Sequence, residues 1–183
     1  FEDVDLKPQP LFPVPVWWGG ATPASARLAV DFCEGWLPGR ITFPTYKTRV
    51  AKIRELEAEA GRSPVLVGAI PITSIGETRN EAIAPLNVDG LLENANEMKF
   101  WTKPEGGRFT TIGDLDGSLI AGTPDDVVRE IQRYQEIGCD LLIIDFRLRF
   151  RDWLSQMEMF AREVLPRVSG SQESSTAGSL AGA

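Results

Sequence analysis

Two nearly unbroken apolar runs stand out along the chain: Val65-Leu66-Val67-Gly68-Ala69-Ile70 with Ile72, and Leu141-Leu142-Ile143-Ile144. Apolar runs of this length without polar alternation are the pattern of strands covered on both faces, as in a parallel sheet. We read them as strands from Pro64 to Ser74 and from Cys139 to Phe146. Val14 to Trp18 predicts an earlier strand, β-branched and aromatic, entered through prolines that a strand accepts only at its start or edge. Trp36 and Leu37 predict a very short strand ending at Pro38 and Gly39.

Helical spacing occupies the intervals. Ala26, Ala29, Val30 and Cys33 recur on one face, and Gly35 is placed to end that helix in a left-handed cap. A second helix is predicted from Tyr46 to Ala60, with Val50, Ile53, Leu56 and Ala60 on its apolar face and Gly61 behind it. Glu77 to Ala84 and Leu91 to Trp101 read as helical pieces, followed by a glycine-rich, charged excursion from Lys103 to Gly117. No element is assigned between that excursion and Thr123. Thr123-Pro124-Asp125-Asp126 joins an N-cap, a first-turn proline and early acids, and opens a helix bearing Val127, Ile131 and Tyr134 that stops at Gly138. Trp153, Met157, Phe160 and Val164 predict a last amphipathic helix ending near Pro166. Phe1 to Phe12 is an extended, proline-punctuated lead-in, and residues 168–183 are expected to be a disordered Ser, Gly and Ala tail.

Four strand-then-helix units require parallel strands joined by right-handed crossovers. Two architectures satisfy this order. A doubly wound sheet would use the four strands as they stand, whereas a (β/α)8 barrel needs eight units and about 250 residues, twice what the chain holds.

Composition narrows the chemistry. The 183 residues, 43% hydrophobic, suffice for one α/β domain, and a net charge of -7 argues against a general nucleic-acid or anionic-membrane surface. No apolar run spans a bilayer and no basic-then-apolar leader is present. Cys33 and Cys139 read as reduced core residues, consistent with a cytoplasmic compartment. The chain has no histidine, which removes His-based triads, His-metal sites and imidazole bases. No metal site is expected. The first residue, Phe1, is the mark of a sequence that begins inside a longer one or has been processed.

The candidate chemistry lies at Trp18-Gly19-Gly20-Ala21-Thr22-Pro23. Two glycines let the backbone bend sharply and lie against a ligand with no Cβ in the way. Thr22 as N-cap and Pro23 as first helical residue direct the free N–H groups of the next helix back toward the strand's C-terminal end, where a phosphate is attracted. A plain β-to-α turn is the competing reading. Arg40 follows a strand end and can reach a phosphate or sit solvated in a loop. Trp17 and Trp18 alternate in direction, one toward the sheet's inner face and one toward the helices. Arg147, Arg149 and Arg151 alternate with Leu148 and Phe150 and line the strand ends or decorate a loop edge. Asp125 and Asp126 are cap acids.

These residues also carry a resemblance. Pro8, Gln9 and Pro10 followed by Pro-Val-Trp-Trp-Gly-Gly-Ala-Thr-Pro resemble the fifth strand and following turn of the luciferase-like monooxygenases. Glu34-Gly35-Trp36-Leu37-Pro38 resembles that superfamily's sixth strand, and Ala121-Gly122-Thr123-Pro124 the opening of its penultimate helix. Gly138-Cys139-Asp140-Leu141-Leu142 and Phe160-Ala-Arg-Glu-Val-Leu-Pro166 resemble its eighth strand and last helix. The resemblance covers residues 1–167 and implies the last four β/α units of a (β/α)8 TIM barrel. It further implies an oxidoreductase or monooxygenase that holds FMN or the deazaflavin coenzyme F-420 at the barrel mouth and acts on a small organic substrate. Gly19, Gly20, Ala21 and Thr22 would lie at the cofactor phosphate, with Trp18 and Arg40 as further candidate contacts. No catalytic residue is carried over, because the first four strands have no counterpart here. The partners implied are an N-terminal half-barrel, from the same or another chain, and further copies in a homo-oligomer. A non-catalytic flavin-binding subunit of the same fold, or a small doubly wound phosphate-binding protein, are the alternatives.

Overall fold

The structure is a computed structural model, and it describes residues 7–169. Six strands alternate with helices: β1 (Trp17–Gly19), α1 (Pro23–Phe32), β2 (Gly35–Leu37), α2 (Phe43–Ala60), β3 (Leu66–Ala69), β4 (Ile72–Ile75), α3 (Arg79–Ile83), α4 (Val88–Glu97), β5 (Leu119–Gly122), α5 (Pro124–Glu136), β6 (Leu141–Leu142), α6 (Trp153–Met159) and α7 (Leu165–Val168). A π-helical stretch, Phe160–Val164, joins the last two helices. All strand pairs are parallel; β1, β2, β3 and β6 form one sheet in that order, and β4 pairs with β5 in a second.

The sheet's two faces differ. Register places Trp18, Trp36, Val67, Ala69 and Leu142 on one side, and Trp17, Leu37, Leu66, Gly68 and Leu141 on the other. The first side is sealed by helices. Trp36 is fully buried and stacks on Tyr46 of α2, which meets Tyr134 of α5 edge-on, and Tyr134 meets Phe43 in the same way. On the second side Leu66 and Leu141 remain 45% and 41% exposed. Helices therefore cover one face only, which rules out the doubly wound alternative, a sheet with helices on both faces. Burying such a leucine fully is worth about 1.5–3 kcal/mol, a stabilisation that these two side chains only partly collect here.

Several boundaries differ from the sequence pattern, each for a local reason. β1 begins at Trp17, leaving Val14 and Val16 exposed. Gly35 is no left-handed cap: α1 ends at Cys33 in extended geometry, and Gly35 lies in β2. Its missing side chain makes room for Trp17, whose Cδ2 would lie 2.3 Å from a Cβ there. The α1 carbonyls of Val30 and Cys33 instead accept from the Arg62 guanidinium, a cation at the helix's negative end. α2 starts one turn before Tyr46, with Thr42 at its N-cap position and Pro44 in its first turn, and Gly61 closes it at φ 59° as expected. Ala60 is exposed, so the apolar face ends at Leu56.

The run from Pro64 to Ser74 breaks into β3 and β4 at Ile70-Pro71, where proline offers no N–H to a ladder. Past the break the chain leaves β2, the partner of β3, and β4 pairs with β5, a strand that the pattern leaves unassigned. The expected strand from Cys139 to Phe146 shrinks to two residues at an open edge, and Leu141 is exposed rather than covered on both faces. Val168 is buried and its carbonyl accepts from Gln135. Residues 170–183 and Phe1 to Leu6 lie outside the described residues.

The contact of Trp17 with Gly35 gives a direct test. Gly35→Ala should destabilise the chain by about 1–3 kcal/mol, the cost of overpacking, read from urea unfolding. In a Trp17→Ala background the same substitution should cost less than about 0.5 kcal/mol, because the ring it collides with is gone.

Candidate functional site

The site is built on the turn between β1 and α1. Gly20 has φ +124°, a conformation open to glycine and strained for other residues, and the place of its absent Cβ lies 2.7 Å from Ser25 Oγ. The glycine is thus needed for the turn's packing against α1; the space a Cβ would take is filled by Ser25, not left open for a ligand. Thr22 is the N-cap as predicted. Its Oγ1 accepts from Ser25 N at 3.2 Å and hydrogen-bonds Ser25 Oγ at 2.9 Å. The hydroxyl is therefore engaged by the helix it caps.

Three successive carbonyls of the turn are engaged within the chain. Gly20 O accepts from Trp36 Nε1 at 3.0 Å, Ala21 O from Arg49 Nε at 3.1 Å, and Thr22 O from Ser25 N at 3.1 Å. Across a trans peptide the N–H of the next residue points opposite the carbonyl. The Ala21 and Thr22 N–H groups are accordingly turned away from Trp36 and Arg49, and neither donates a hydrogen bond among the described residues. Two open backbone donors thus stand at the positive end of a ten-residue helix, an arrangement suited to an anion.

The other candidates are distributed differently. Trp18 turns to the helical side, with Nε1 3.9 Å from the Gly20 Cβ position, while Trp17 occupies the inner face over Gly35 and Gly68. Arg40 lines a pocket with Ile72, Leu91 and Trp101 and has no ionic or hydrogen-bond partner among the described residues. The three alternating arginines separate. Arg149 is buried, donating through Nη1 to Ser74 Oγ at 2.7 Å and pairing with Asp152 through Nε and Nη2, and it holds Asp152 below the usual carboxylate range. Arg147 is exposed and pairs with Asp145 at 2.5 Å, and Arg151 is exposed as well. Arg149 is therefore a structural clamp and no mouth residue. Arg49, which the sequence pattern does not single out, bridges the turn to Phe100 O at 3.2 Å. Burial lowers its pKa.

Two clefts lie away from this turn. An apolar one of about 570 Å³ follows β6 and is lined by Ile144, Phe146, Phe150, Trp153, Met157 and Phe160. A polar one of about 480 Å³ lies between α3 and α5, where Asp126 accepts from Arg79 and Arg129 while capping α5 with Thr123. Those arginines are satisfied by Asp126 rather than presented to a ligand. No helix of the described residues is long and apolar enough to cross a membrane.

The profile of the luciferase-like monooxygenases matches residues 1–141. The chain belongs to this family. Among solved structures, the coenzyme F-420-dependent tetrahydromethanopterin reductase from Methanopyrus kandleri is similar at 21% identity and a TM-score of 0.60, over 85% of this chain and 51% of that one. An F-420-dependent secondary alcohol dehydrogenase bound to an F-420–acetone adduct gives 17% identity and a TM-score of 0.68, over 90% and 52%. The oxygenating constituent of 3,6-diketocamphane monooxygenase from the CAM plasmid of Pseudomonas putida, in complex with FMN, gives 18% and 0.59, over 84% and 48%. The chain spans about half the length of these structures, which accords with its uncovered sheet face. No curated protein matches the sequence.

The α5 cap predicts an acid response. Hydrogen bonds from Arg79 come first among the causes that depress the Asp126 pKa, with Thr123 and Arg129 adding to them. A depressed carboxylate stabilises the fold above its unfolded pKa, about 3.9, and that contribution fades as pH falls below this value. Urea midpoints measured from pH 6 to pH 2.5 should therefore decline for the wild type and decline less for Asp126→Asn. Asp114 and Asp152 are also depressed and keep part of the slope in the variant.

Proposed function

We propose that residues 1–167 form the C-terminal half of a (β/α)8 barrel in a flavin- or deazaflavin-dependent oxidoreductase or monooxygenase acting on a small organic substrate. The reading rests on family membership, on the uncovered inner face of the sheet, and on one site observation: the inward carbonyls of Gly20 and Ala21 leave two amide donors at the start of α1. The residues present fit a cofactor phosphate. Ala21 and Thr22 would hold it through their backbone N–H groups, Gly19 and Gly20 would supply the bend, and the α1 terminus would add its field. Trp18 would support the turn from behind, and Arg40 is free to meet an anion from the next strand end. When bound, reduced FMN or F-420 supplies the redox chemistry; the chain's own residues bind and orient.

The inner face, with Leu66 and Leu141, is the wall that a preceding half-barrel would cover, whether from the same or another chain. We place the assembled protein in the cytoplasm, as a homo-oligomer. Residues 168–183 would lie beyond the barrel.

Thr22→Asp tests the phosphate role without disturbing the fold, because aspartate caps a helix as well as threonine does. In the complete-barrel protein, followed by flavin fluorescence, this variant should lose roughly tenfold or more in FMN affinity, about 1.4 kcal/mol. Riboflavin, which has no phosphate, should be nearly unaffected. Coenzyme F-420 and its phosphate-free deazariboflavin form the parallel pair. Equal losses for both members of a pair would reduce the turn to a structural element.

A further inference from the structure

We propose that Arg49 is a positioning residue for this turn: it fixes the Ala21–Thr22 peptide so that the Thr22 N–H faces the cofactor phosphate. The inference rests on the reading of the turn given above. Arg49 Nε donates to Ala21 O at 3.1 Å and Nη2 to Phe100 O at 3.2 Å. Arg54, Arg79, Arg129, Arg133 and Arg149 all face carboxylates, whereas the bonds of Arg49, like those of Arg62 at the end of α1, go to carbonyl oxygens.

The geometry explains why an arginine stands there. A full flip of the Ala21–Thr22 peptide is closed off, because it would take β-branched Thr22 from φ -74° to a positive φ just before Pro23; what stays soft in such a turn is the tilt of the peptide plane about its flanking dihedrals. At Gly20–Ala21 the tilt is blocked by Trp36, which is fully buried and whose Nε1–H bonds Gly20 O. At Ala21–Thr22 Arg49 does the same. Its planar fork holds Nε and Nη2 at fixed separation, so one side chain from α2 pins this peptide and the segment around Phe100 together. A lysine offers a single donor centre and cannot reproduce the fork. Half-buried, the guanidinium makes a charge-assisted bond that water competes with poorly, as its burial-lowered pKa also reflects. Without it the Ala21–Thr22 peptide can tilt, which moves the Thr22 N–H off the line to a phosphate and loosens the seat.

The test compares Arg49→Met and Arg49→Lys in the complete-barrel protein, with FMN and riboflavin, or F-420 and its phosphate-free deazariboflavin, titrated by fluorescence and folding checked by circular dichroism. The wild type should prefer the phosphorylated ligand; if it does not, the turn is no phosphate site and the reading above fails first. Given that preference, both variants should lose roughly tenfold of it, while affinity for the unphosphorylated ligand stays within about twofold. An unchanged preference in Arg49→Met overturns the proposal. Full retention in Arg49→Lys also overturns it, because the effect would then belong to charge at a distance and not to orientation of the peptide. Parallel loss for both ligands, which general loosening of the fold would give, overturns it as well.

Discussion

The indole of Trp36 joins the helical layer to the candidate site. Its ring is sealed between the sheet and α2, stacked on Tyr46, and its one polar atom is satisfied by the carbonyl of Gly20. A buried N–H left without a partner costs about 1–3 kcal/mol, so the core itself holds that carbonyl inward. The aromatic chain continues through Tyr134 to Phe43, over which the Arg133 guanidinium lies at 4.1 Å while gripping Asp116. Tyr134 also donates its hydroxyl to Gly117 O. The turn at the end of β1 and the excursion before β5 are thus referenced to the same stack.

Glycine governs the opposite face. A Cβ at Gly35 or at Gly68 would meet Trp17, and at Gly68 Leu37 as well. The flat indole lies where two side chains have been removed, and it gives the exposed side of the sheet a smooth apolar floor. In the proposed barrel this floor becomes interior, filled from the other half.

Much of this was legible in the sequence because it rests on local chemistry. Thr22, Thr123 and Gly61 are caps whose residue types permit few other roles, and all three act as caps here. The helical stripes at Val50, Ile53 and Leu56 and at Val127, Ile131 and Tyr134 are buried as their spacing required. What the sequence hid is non-local. Gly35 looked like a helix stop because it follows one; its role depends on Trp17 from the neighbouring strand, a contact that no periodicity records. β5 is four residues long and stabilised by pairing with β4, so it has no period of its own to display. Arg49 sits amid the polar residues of an amphipathic helix, and only the fold brings it to Ala21. The alternation of Arg147, Arg149 and Arg151 was visible, but which of them turns inward was set by Ser74 and Asp152.

The buried clamp around Ile75 bears on the complement that the proposed half-barrel would take. Gln156 of α6 accepts from Ile75 N at 2.7 Å and donates to Ile75 O at 2.9 Å, doing with one side-chain amide what a neighbouring strand would do with its backbone. Arg149 adds a bond to Ser74 from the same side. Polar groups at the end of β4 are thereby satisfied within the chain. Away from the turn at α1, the large exposed side chains of the sheet's inner face and of the cleft beyond β6 are apolar: Leu66 and Leu141, and Phe150, Trp153 and Met157. A covering half would then be bound chiefly by packing, and would bring walls rather than backbone donors to the turn at α1. In the proposed barrel Trp36 and Arg49 would hold those donors from within this chain, so a closing half could vary in its lining without redrawing the phosphate seat.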